Sequence, residues 1–235
     1  AQDLSHLCVT TAHLLNAEDR VVSVPSPCYI FGDLHGNIQD LQFFRQKIWT
    51  LGVELTAGNF LCLGDYVDRG PHSLEVVAYM FAMKCLCPQK MFLLRGNHEL
   101  SSVNGQIEHY GEGSFLHQCD SRFGQDVGRK IWRCVNQCFD YLPLAAVVAD
   151  SIFCVHGGIP RRRPGVNPAF TNMIDVVNQL PKRMGVMPGH KGESPVMQQL
   201  AMDLLWGDPA RAEQESRLDA NGFGPSQRGG SISNF

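Results

Sequence analysis

Short apolar runs alternate with polar loops and with segments of helical spacing along the first part of the chain. Three runs predict buried strands, each ending at a polar loop that contains glycine, and they span residues 28–31, 59–63 and 91–94. After the first two loops, apolar residues recur at helical spacing over 38–51 and 74–83. Asn37 is placed to cap the first of these helices, and Pro71 suits the first turn of the second. This repeated order predicts parallel strands joined by crossover helices.

The rest of the apolar pattern predicts more helices and one hairpin. Helical spacing recurs over residues 4–15 and over much of 99–142. Two short β-rich runs at 145–149 and 152–155 flank Asp150 and Ser151. We expect these two runs to form an antiparallel hairpin.

Beyond residue 160 the chain changes character. Six prolines lie between 160 and 195, together with the arginine run at 161–163, which is typical of a solvated face or of a surface for acidic partners. With 235 residues, we expect a single domain over 1–235. Within it we expect a helical lead-in at 1–27 and a proline-rich variable loop region at 160–199, with an insertion of unknown role at 180–199.

Composition excludes several classes of protein. Hydrophobic residues make up 44% of the chain and charged residues 18%, which is enough apolar material for a core and excludes a disordered chain. The net charge of −3 argues against a non-specific nucleic-acid binder. The apolar stretches are too short to span a bilayer. We therefore expect no nucleic-acid partner and no membrane partner.

The nine cysteines predict reduced thiols. Their number is odd and several lie inside apolar runs, so a secreted disulfide framework is disfavoured. A cytoplasmic location is therefore expected, with a nuclear one as the alternative. Cys85 with Cys87, or Cys134 with Cys138, could be read as zinc ligands. No second pair lies at zinc-site spacing, so buried thiols are the favoured interpretation.

Polar clusters follow four of the predicted strands, at the point where each strand ends. They read Gly-Asp-Leu-His-Gly, Gly-Asp-Tyr-Val-Asp-Arg-Gly, Arg-Gly-Asn-His-Glu and His-Gly-Gly, at 32–36, 64–70, 95–99 and 156–158. Ligands bind outside the carboxyl ends of strands in open α/β sheets, so the four clusters are expected to meet at one rim. Each cluster alone could be an ordinary turn, but four in this position predict a shared site.

The donor atoms of these clusters favour a metal centre. Two carboxylates, an amide and two imidazoles suit Mn, Fe or Zn better than a soft-metal site. They come from Asp33, His35, Asp65, Asn97 and His156. This set exceeds the needs of one open catalytic ion, and a carboxylate can bridge two ions. The pattern therefore predicts a two-metal site that activates water and grips phosphate oxygens.

Neighbouring residues fit the other half of such a reaction. His98 could donate a proton to a leaving alkoxide, and Asp68 could hold its ring and keep it protonated. Arg69 offers a bidentate fork for a phosphate oxyanion. Arg95 could do the same, or could be structural because it lies beside a strand end.

The four clusters, in this order, resemble those of the PPP family of metal-dependent serine/threonine protein phosphatases, within the calcineurin-like metallophosphoesterases. The family pattern is also matched by Asn104, which follows the third cluster, and by the segments 139–146 and 203–209. The resemblance is continuous over roughly 28–160 and partial over 200–235. The helical segment at 113–140 and the Leu-Leu-Trp-Gly-Asp-Pro stretch at 204–209 favour the protein-directed branch over nucleotide phosphatases.

The resemblance implies a fold and a partner class. The fold would be α/β (α+β) in four layers, with a central two-sheet mixed β-sandwich flanked by helices. The cofactors would be two divalent transition-metal ions, Mn²⁺ first, with Fe and Zn as alternatives. Partners would be phosphoprotein substrates and regulatory or scaffolding protein subunits.

The resemblance also implies a role for each site residue. One metal would be held by Asp33, His35 and Asp65, and the second by Asp65, Asn97 and His156, with Asp65 as the bridge. The general acid would be His98, paired with Asp68. The phosphate would be contacted by Arg69, Asn97 and Arg228. The expected reaction is hydrolysis of phosphoserine and phosphothreonine by direct attack of a metal-bridging water or hydroxide.

The sequence departs from the family after residue 235. Family members continue with another metal-binding histidine, a tyrosine near the site and strands that complete the second sheet, so we expect this sequence to be part of a longer chain. The alternative is a protein that ends here, with fewer ligands for the second metal. His190 precedes the 203–209 segment, the wrong order for a replacement ligand. A scaffolding pseudo-phosphatase and a small-molecule phosphoesterase remain the rival functions.

Overall fold

Six strands form the centre of the fold in this computed structural model, which describes residues 1–162, 172–183, 194–229 and 232–235. In chain order they are β1 (Val21–Val24), β2 (Cys28–Phe31), β3 (Asn59–Cys62), β4 (Met91–Leu93), β5 (Ala145–Val148) and β6 (Ile152–Val155). Strands β2, β3 and β4 form a parallel sheet with β3 in the middle. In the other sheet β5 lies between β1, which is parallel to it, and β6, which is antiparallel. A short antiparallel pair, β7 (Gly224–Pro225) and β8 (Ser233–Asn234), lies near the end of the chain.

Helices cover the outer faces of both sheets. In chain order they are α1 (Gln2–Ala17), α2 (Ile38–Lys47), α3 (Ser73–Leu86), α4 (Ser101–Asn104), α5 (Ile107–Tyr110), α6 (Phe115–Phe123), α7 (Gln125–Phe139), α8 (Met173–Asn178) and α9 (Pro195–Trp206). Three 3₁₀ turns occur at Asn97–Glu99, Gly111–Gly113 and Glu215–Arg217. Among the helices of the described residues, none combines the length and apolarity that crossing a membrane requires.

Three apolar clusters hold these layers together. Helices α1, α2, α3, α6 and α7 share one cluster with β3 and β4. Helices α8 and α9 share another with β1 and β5. Between the sheets, Leu61 and Phe92 of one sheet pack with Val24 and Val148 of the other. The order helix, sheet, sheet, helix confirms the predicted four-layer α/β fold with a mixed sandwich at its centre.

Most predicted elements form where the sequence places them. The three parallel strands are present, and the Asn37 side chain accepts a hydrogen bond from the Asp40 N–H at the start of α2, 3.1 Å. The hairpin of β5 and β6 turns through Ala149 and Asp150, which both have positive φ, 52° and 55°. This left-handed conformation lets a short loop match the twist of the strands.

Several boundaries differ from the sequence analysis. Helix α2 ends at Lys47 instead of continuing to Leu51, which is 78% exposed and has no core to pack against. Helix α3 begins two residues after Pro71, with His72 as its N-cap. The lead-in at 1–27 contains strand β1 as well as a helix. Its four residues pair with β5, far along the chain, and local periodicity cannot detect such pairing.

The region at 160–199 is more structured than predicted, because α8 and the beginning of α9 lie within it. Arg161 is not simply solvated: its guanidinium pairs with Asp219 and lies over the Phe223 ring. Arg163, His190 and half of the insertion expected at 180–199, residues 184–193, lie outside the described residues.

All nine cysteines are free, as the sequence analysis predicts. Five of them are buried: Cys8, Cys62, Cys119, Cys138 and Cys154. Burial raises the pKa of Cys62 and of Cys119 to about 12. No cysteine of the described residues belongs to a cluster that could hold a metal ion, so the disfavoured zinc interpretation finds no support.

Leu61→Ala tests the core between the sheets. Leu61 is fully buried on the central strand β3, so the free energy of unfolding should fall by about 2–5 kcal/mol through lost burial and a residual cavity. The same substitution at Leu55, 74% exposed, should change it by less than about 0.5 kcal/mol. Urea unfolding followed by circular dichroism measures both values. Equal losses in the two variants would contradict this assignment of the core.

Candidate active site

Four loops bring the predicted site residues together beyond the ends of β2, β3, β4 and β6. The loop after β3 touches the loop after β4 so closely that a Cβ on Gly64 would lie 2.4 Å from the backbone nitrogen of Gly96. The loop after β2 meets the β3 loop at Gly70, where a Cβ would lie 2.1 Å from the carbonyl oxygen of His35. Glycine is therefore required at both contacts for steric reasons.

Strained backbone is concentrated in these loops. Four residues that are not glycine have positive φ there, between 39° and 67°: His35, Asp65, Asp68 and Arg69. Such conformations cost free energy and persist only where the surroundings enforce them. Their presence at four predicted site residues indicates that the loops are held for function.

Asp65 lies at the centre of the site and is only 3% exposed. Its Oδ1 accepts a hydrogen bond from the His98 backbone N–H, 2.9 Å, and lies 3.4 Å from Nε2 of His156. Its Oδ2 lies 3.4 Å from Nε2 of His35. The two carboxylate oxygens thus face different imidazoles, as a bridging ligand requires.

Two groups of potential metal ligands share Asp65. One consists of His35, Asp65 and His98, and the other of Asp33, Asp65 and His156; within each, the donor atoms lie within 4.8 Å of one another. Asn97 joins the second group through a contact of 2.9 Å between its Oδ1 and Nε2 of His156. All five predicted ligands therefore converge around Asp65. Asp33 lies close to both groups, because its Oδ2 is 3.7 Å from Nε2 of His35 and its Oδ1 is 4.0 Å from Nδ1 of His156.

The chemistry of His35 fits a cation at this place. Its Nδ1 lies 2.9 Å from the Val67 carbonyl oxygen, which can only accept, so Nδ1 carries the proton and Nε2 presents a lone pair. That Nε2 is buried without a hydrogen-bond partner and faces the carboxylates of Asp33 and Asp65 at 3.7 and 3.4 Å. Burial lowers the pKa of His35, which favours the neutral ring. A lone pair opposite two carboxylates is repulsive unless a cation lies between them.

His98 and Asp68 form a buried pair beside the ligand groups. Nδ1 of His98 lies 2.7 Å from Oδ2 of Asp68, and Asp68 is fully buried. The other oxygen of Asp68 accepts from the Phe115 backbone N–H, 2.8 Å. On the other side of the ring, Nε2 of His98 lies 3.3 Å from Nη2 of the Arg69 guanidinium. The pair has the orientation that a proton donor needs, with Nε2 facing the site.

The three arginines named above as candidate phosphate contacts lie in different environments. Arg69 is exposed at the rim and its guanidinium reaches His98. Arg95 is 2% exposed and donates to the Glu99 carbonyl and to Asp140, so its role is structural. Arg228 forms two hydrogen bonds with the Asp208 carboxylate, at 2.6 and 2.9 Å. The pKa of Arg228 is raised by that hydrogen bonding and by the charge of Asp208, with a smaller contribution from the charge of Asp65.

Glu99 ties two of the loops together, a role that the sequence analysis missed. It is fully buried, and its carboxylate accepts three backbone hydrogen bonds: Oε1 from Tyr66 at 2.8 Å, and Oε2 from Asp65 at 2.7 Å and from Gly96 at 2.9 Å. Burial and the charge of Asp65 raise the pKa of Glu99 to about 8, while the three N–H donors oppose that rise. Its place within the Arg-Gly-Asn-His-Glu cluster was the only available signal.

Tyr110 is a second residue that the sequence analysis missed. Its ring centroid lies 5.3 Å from that of His98. Its pKa is raised, chiefly by burial and then by the charge of Asp68. Tyr110 lies at the end of α5, inside a stretch predicted only as generally helical, so no local pattern marked it.

Asp65→Asn tests the bridging position. Because Asp65 belongs to both ligand groups, the Asp65→Asn variant should lose most of its bound metal. Asp33→Asn changes a carboxylate that is exposed and should lose less metal. Each variant is dialysed against Mn²⁺ and desalted, and its metal content per chain is measured by inductively coupled plasma mass spectrometry. Retention of equal metal by both variants would contradict a bridging role.

Glu99→Gln tests the tie between the loops. Glutamine has one acceptor oxygen and brings an NH₂ group against at least one backbone N–H, so the loops should loosen. We expect metal affinity to fall about 10–100-fold, the usual effect of losing a group that orients ligands. Calorimetric titration with Mn²⁺ measures the affinity, and Glu75→Gln on the exposed start of α3 is the matched control. Unchanged affinity in Glu99→Gln would show that the loops do not need this carboxylate.

Comparisons with known proteins agree with this geometry. The serine/threonine-protein phosphatase BSL2 of Arabidopsis thaliana is 32% identical over 228 residues, which are 95% of this chain and 20% of that protein. A solved structure of a protein serine/threonine phosphatase from Saccharomyces cerevisiae, described as similar to human phosphatase PP5, matches with a TM-score of 0.73 and 26% identity. That match covers 100% of this chain and 64% of the yeast chain. The chain thus spans about a fifth of the curated relative and less than two thirds of the solved one.

A family model described as calcineurin-like phosphoesterase matches residues 26–233, a range that contains all the loops of the site. Members of this family bind divalent metal ions, in agreement with the ligand groups around Asp65. The chain therefore belongs to the calcineurin-like phosphoesterase family.

Proposed function

We propose that this chain is the catalytic part of a protein phosphatase that hydrolyses phosphoserine and phosphothreonine by direct transfer of the phosphoryl group to water. The observation that carries the proposal is the position of the His98–Asp68 pair, directly beside two ligand groups that share Asp65. The similarity to two serine/threonine phosphatases supports the choice of substrate.

The metal ligands proposed here are Asp33, His35 and Asp65 for one ion and Asp65, Asn97 and His156 for the second, with His98 close to the first group. When bound, two such ions supply Lewis-acid activation of water and of the phosphate oxygens. Mn²⁺ is the proposed metal, with Fe and Zn as alternatives, because the donors are oxygen and nitrogen.

His98 is the proposed proton donor to the leaving alkoxide. Nδ1 of its ring faces the Asp68 carboxylate at 2.7 Å, and this contact holds the ring with Nε2 directed toward the site. In the structure, the Arg69 guanidinium donates toward Nε2 of His98. A substrate phosphate would draw Arg69 onto its own oxygens, which leaves Nε2 free to take a proton from solvent and then give it to the leaving alkoxide.

Arg69, Asn97 and Arg228 are proposed to contact the substrate phosphate. Arg69 is exposed and free to form a bidentate contact. Arg228 would have to share its guanidinium between Asp208 and the phosphate, since both of its observed side-chain hydrogen bonds go to Asp208. We also propose a cytoplasmic or nuclear location and regulatory or scaffolding subunits, supported by the free cysteines and by the resemblance respectively.

A scaffolding pseudo-phosphatase is not favoured, because the described residues retain the shared ligand groups and the His98–Asp68 pair together. A small-molecule phosphoesterase would use the same chemistry. A panel of phosphopeptides and nucleotides separates that rival from the proposal.

His98→Ala tests the proposed function. With Mn²⁺ and a phosphothreonine peptide, kcat should fall about 10²–10⁴-fold, the usual contribution of a positioned general acid. His6→Ala, on the exposed face of α1, should leave kcat unchanged. Phosphate release measured against time gives both values. Absence of phosphopeptide hydrolysis by the unaltered full-length protein, with metal bound, would overturn the proposal.

A further inference from the structure

A polar cavity of about 480 Å³ lies beside Arg228, outside the candidate active site. Asp208, Arg211, Gln214 and Asn234 contribute to its wall. A smaller cavity of about 190 Å³ adjoins it and shares Gln214 and Asn234. Apart from Arg228, a proposed phosphate contact, no residue lining the two cavities has been given a role in the proposed chemistry.

Asn234 is the unusual residue of this wall. It is 3% exposed, and its Oδ1 is buried without a hydrogen-bond partner. Its backbone is fixed on two sides, since β8 pairs it with Gly224 of β7 and a bridge joins it to Asp208. A buried amide without a partner is unfavourable, and here it lines a cavity large enough for a side chain of another molecule. By rotating its amide, Asn234 can present either an acceptor or two donors.

The charge that remains in this cavity is positive. Arg228 and Asp208 neutralise each other through their two hydrogen bonds. Arg211 is exposed, and within the described part of the chain it forms no ion pair. Its backbone N–H donates to Oε1 of Gln214, 2.9 Å, which leaves Nε2 of Gln214 as a further donor group. Donors and one unpaired cation are the groups that recognise an anion.

The cavity lies next to the candidate active site. The Phe235 ring, which follows β8, packs so closely on Gly158 that a Cβ there would lie 2.6 Å from it. Gly158 is two residues from the candidate ligand His156. On the same side, Arg228 lines the cavity and is also a candidate phosphate contact. If Arg228 contacts the substrate phosphate as proposed, this cavity lies directly beside the bound phosphate.

We propose that the cavity walled by Arg211, Gln214 and Asn234 is a substrate subsite for an anionic group, a carboxylate or a second phosphate, carried by the peptide near the phosphorylated residue. This inference rests on the proposed phosphatase function. The unpaired charge of Arg211 attracts the anion, and the amides of Gln214 and Asn234 donate hydrogen bonds to it. The phosphatase thus selects acidic or multiply phosphorylated segments.

The test compares matched phosphopeptides on the full-length protein with Mn²⁺. Each set has Glu, Gln or phosphoserine at one position within three residues of the phosphothreonine. Mass spectrometry of fragmented peptides follows loss of the phosphothreonine phosphate alone, because phosphoserine is itself a substrate of the proposed activity. We expect kcat/KM for Glu peptides to exceed that for Gln peptides by about threefold to fivefold, the scale of one partly exposed ion pair. The phosphoserine arm distinguishes the two anions: a larger gain there identifies a second phosphate, and a smaller one a carboxylate.

Two variants at Arg211 assign the effect to the cavity. Arg211→Gln should abolish the preference for Glu, and Arg211→Glu should reverse it in favour of Gln, while hydrolysis of p-nitrophenyl phosphate, which has no flanking residues, stays unchanged in both. Arg45→Gln, an exposed arginine at the end of α2, is the matched control and should keep the preference.

The outcomes separate the subsite from the function. Equal rates for Glu, Gln and phosphoserine peptides, or a preference that survives Arg211→Glu, would overturn the subsite and leave the phosphatase function standing. Hydrolysis of p-nitrophenyl phosphate without hydrolysis of any phosphopeptide would instead overturn the proposed function, and the subsite with it.

Discussion

The carboxylate of Glu99 joins the loops after β3 and β4 through hydrogen bonds to three backbone N–H groups. One of these N–H groups belongs to Asp65, the residue shared by both ligand groups, and another to Gly96, which precedes Asn97 and His98. A polar group is costly to bury unless it is well hydrogen-bonded, and the Glu99 carboxyl group is. The relative position of most of the site therefore depends on one carboxyl group that belongs to neither ligand group.

A second set of contacts supports His98 from the helical layer. Asn104 donates to the His98 carbonyl, 2.9 Å, and accepts from the Trp132 indole, 2.7 Å. Asn136 of α7 completes this network through hydrogen bonds with the Asn104 amide. Because Asp68 is likewise held by the Phe115 N–H at the start of α6, both members of the His98–Asp68 pair are anchored to helices. The strained loops thus rest on a rigid frame, which offsets the cost of their positive φ values.

Much of the fold and the site could be predicted because the signals are local. Short apolar strands, the Asn37 cap and the polar clusters after each strand are all visible within a few residues. The missing elements depend on distant partners. Strand β1 is defined by its pairing with β5, and the burial of Glu99 follows from loops that meet only in three dimensions. The pairing of Arg228 with Asp208 is another such contact, since 20 positions separate the two residues.

The reactivity of the buried cysteines depends on local unfolding of the elements that carry them. A thiol reacts with alkylating reagents through its thiolate. In the native state Cys62 and Cys119 are protected both by pKa values of about 12, which keep them protonated, and by burial, which keeps reagents away. Alkylating reagents should first modify the partly accessible thiols, such as Cys87, and reach Cys62 only when the sheet separates. Cys62 is the last residue of β3, three positions before Asp65. The rate at which Cys62 is alkylated therefore measures how often β3, the strand that leads into the Asp65 loop, unfolds locally.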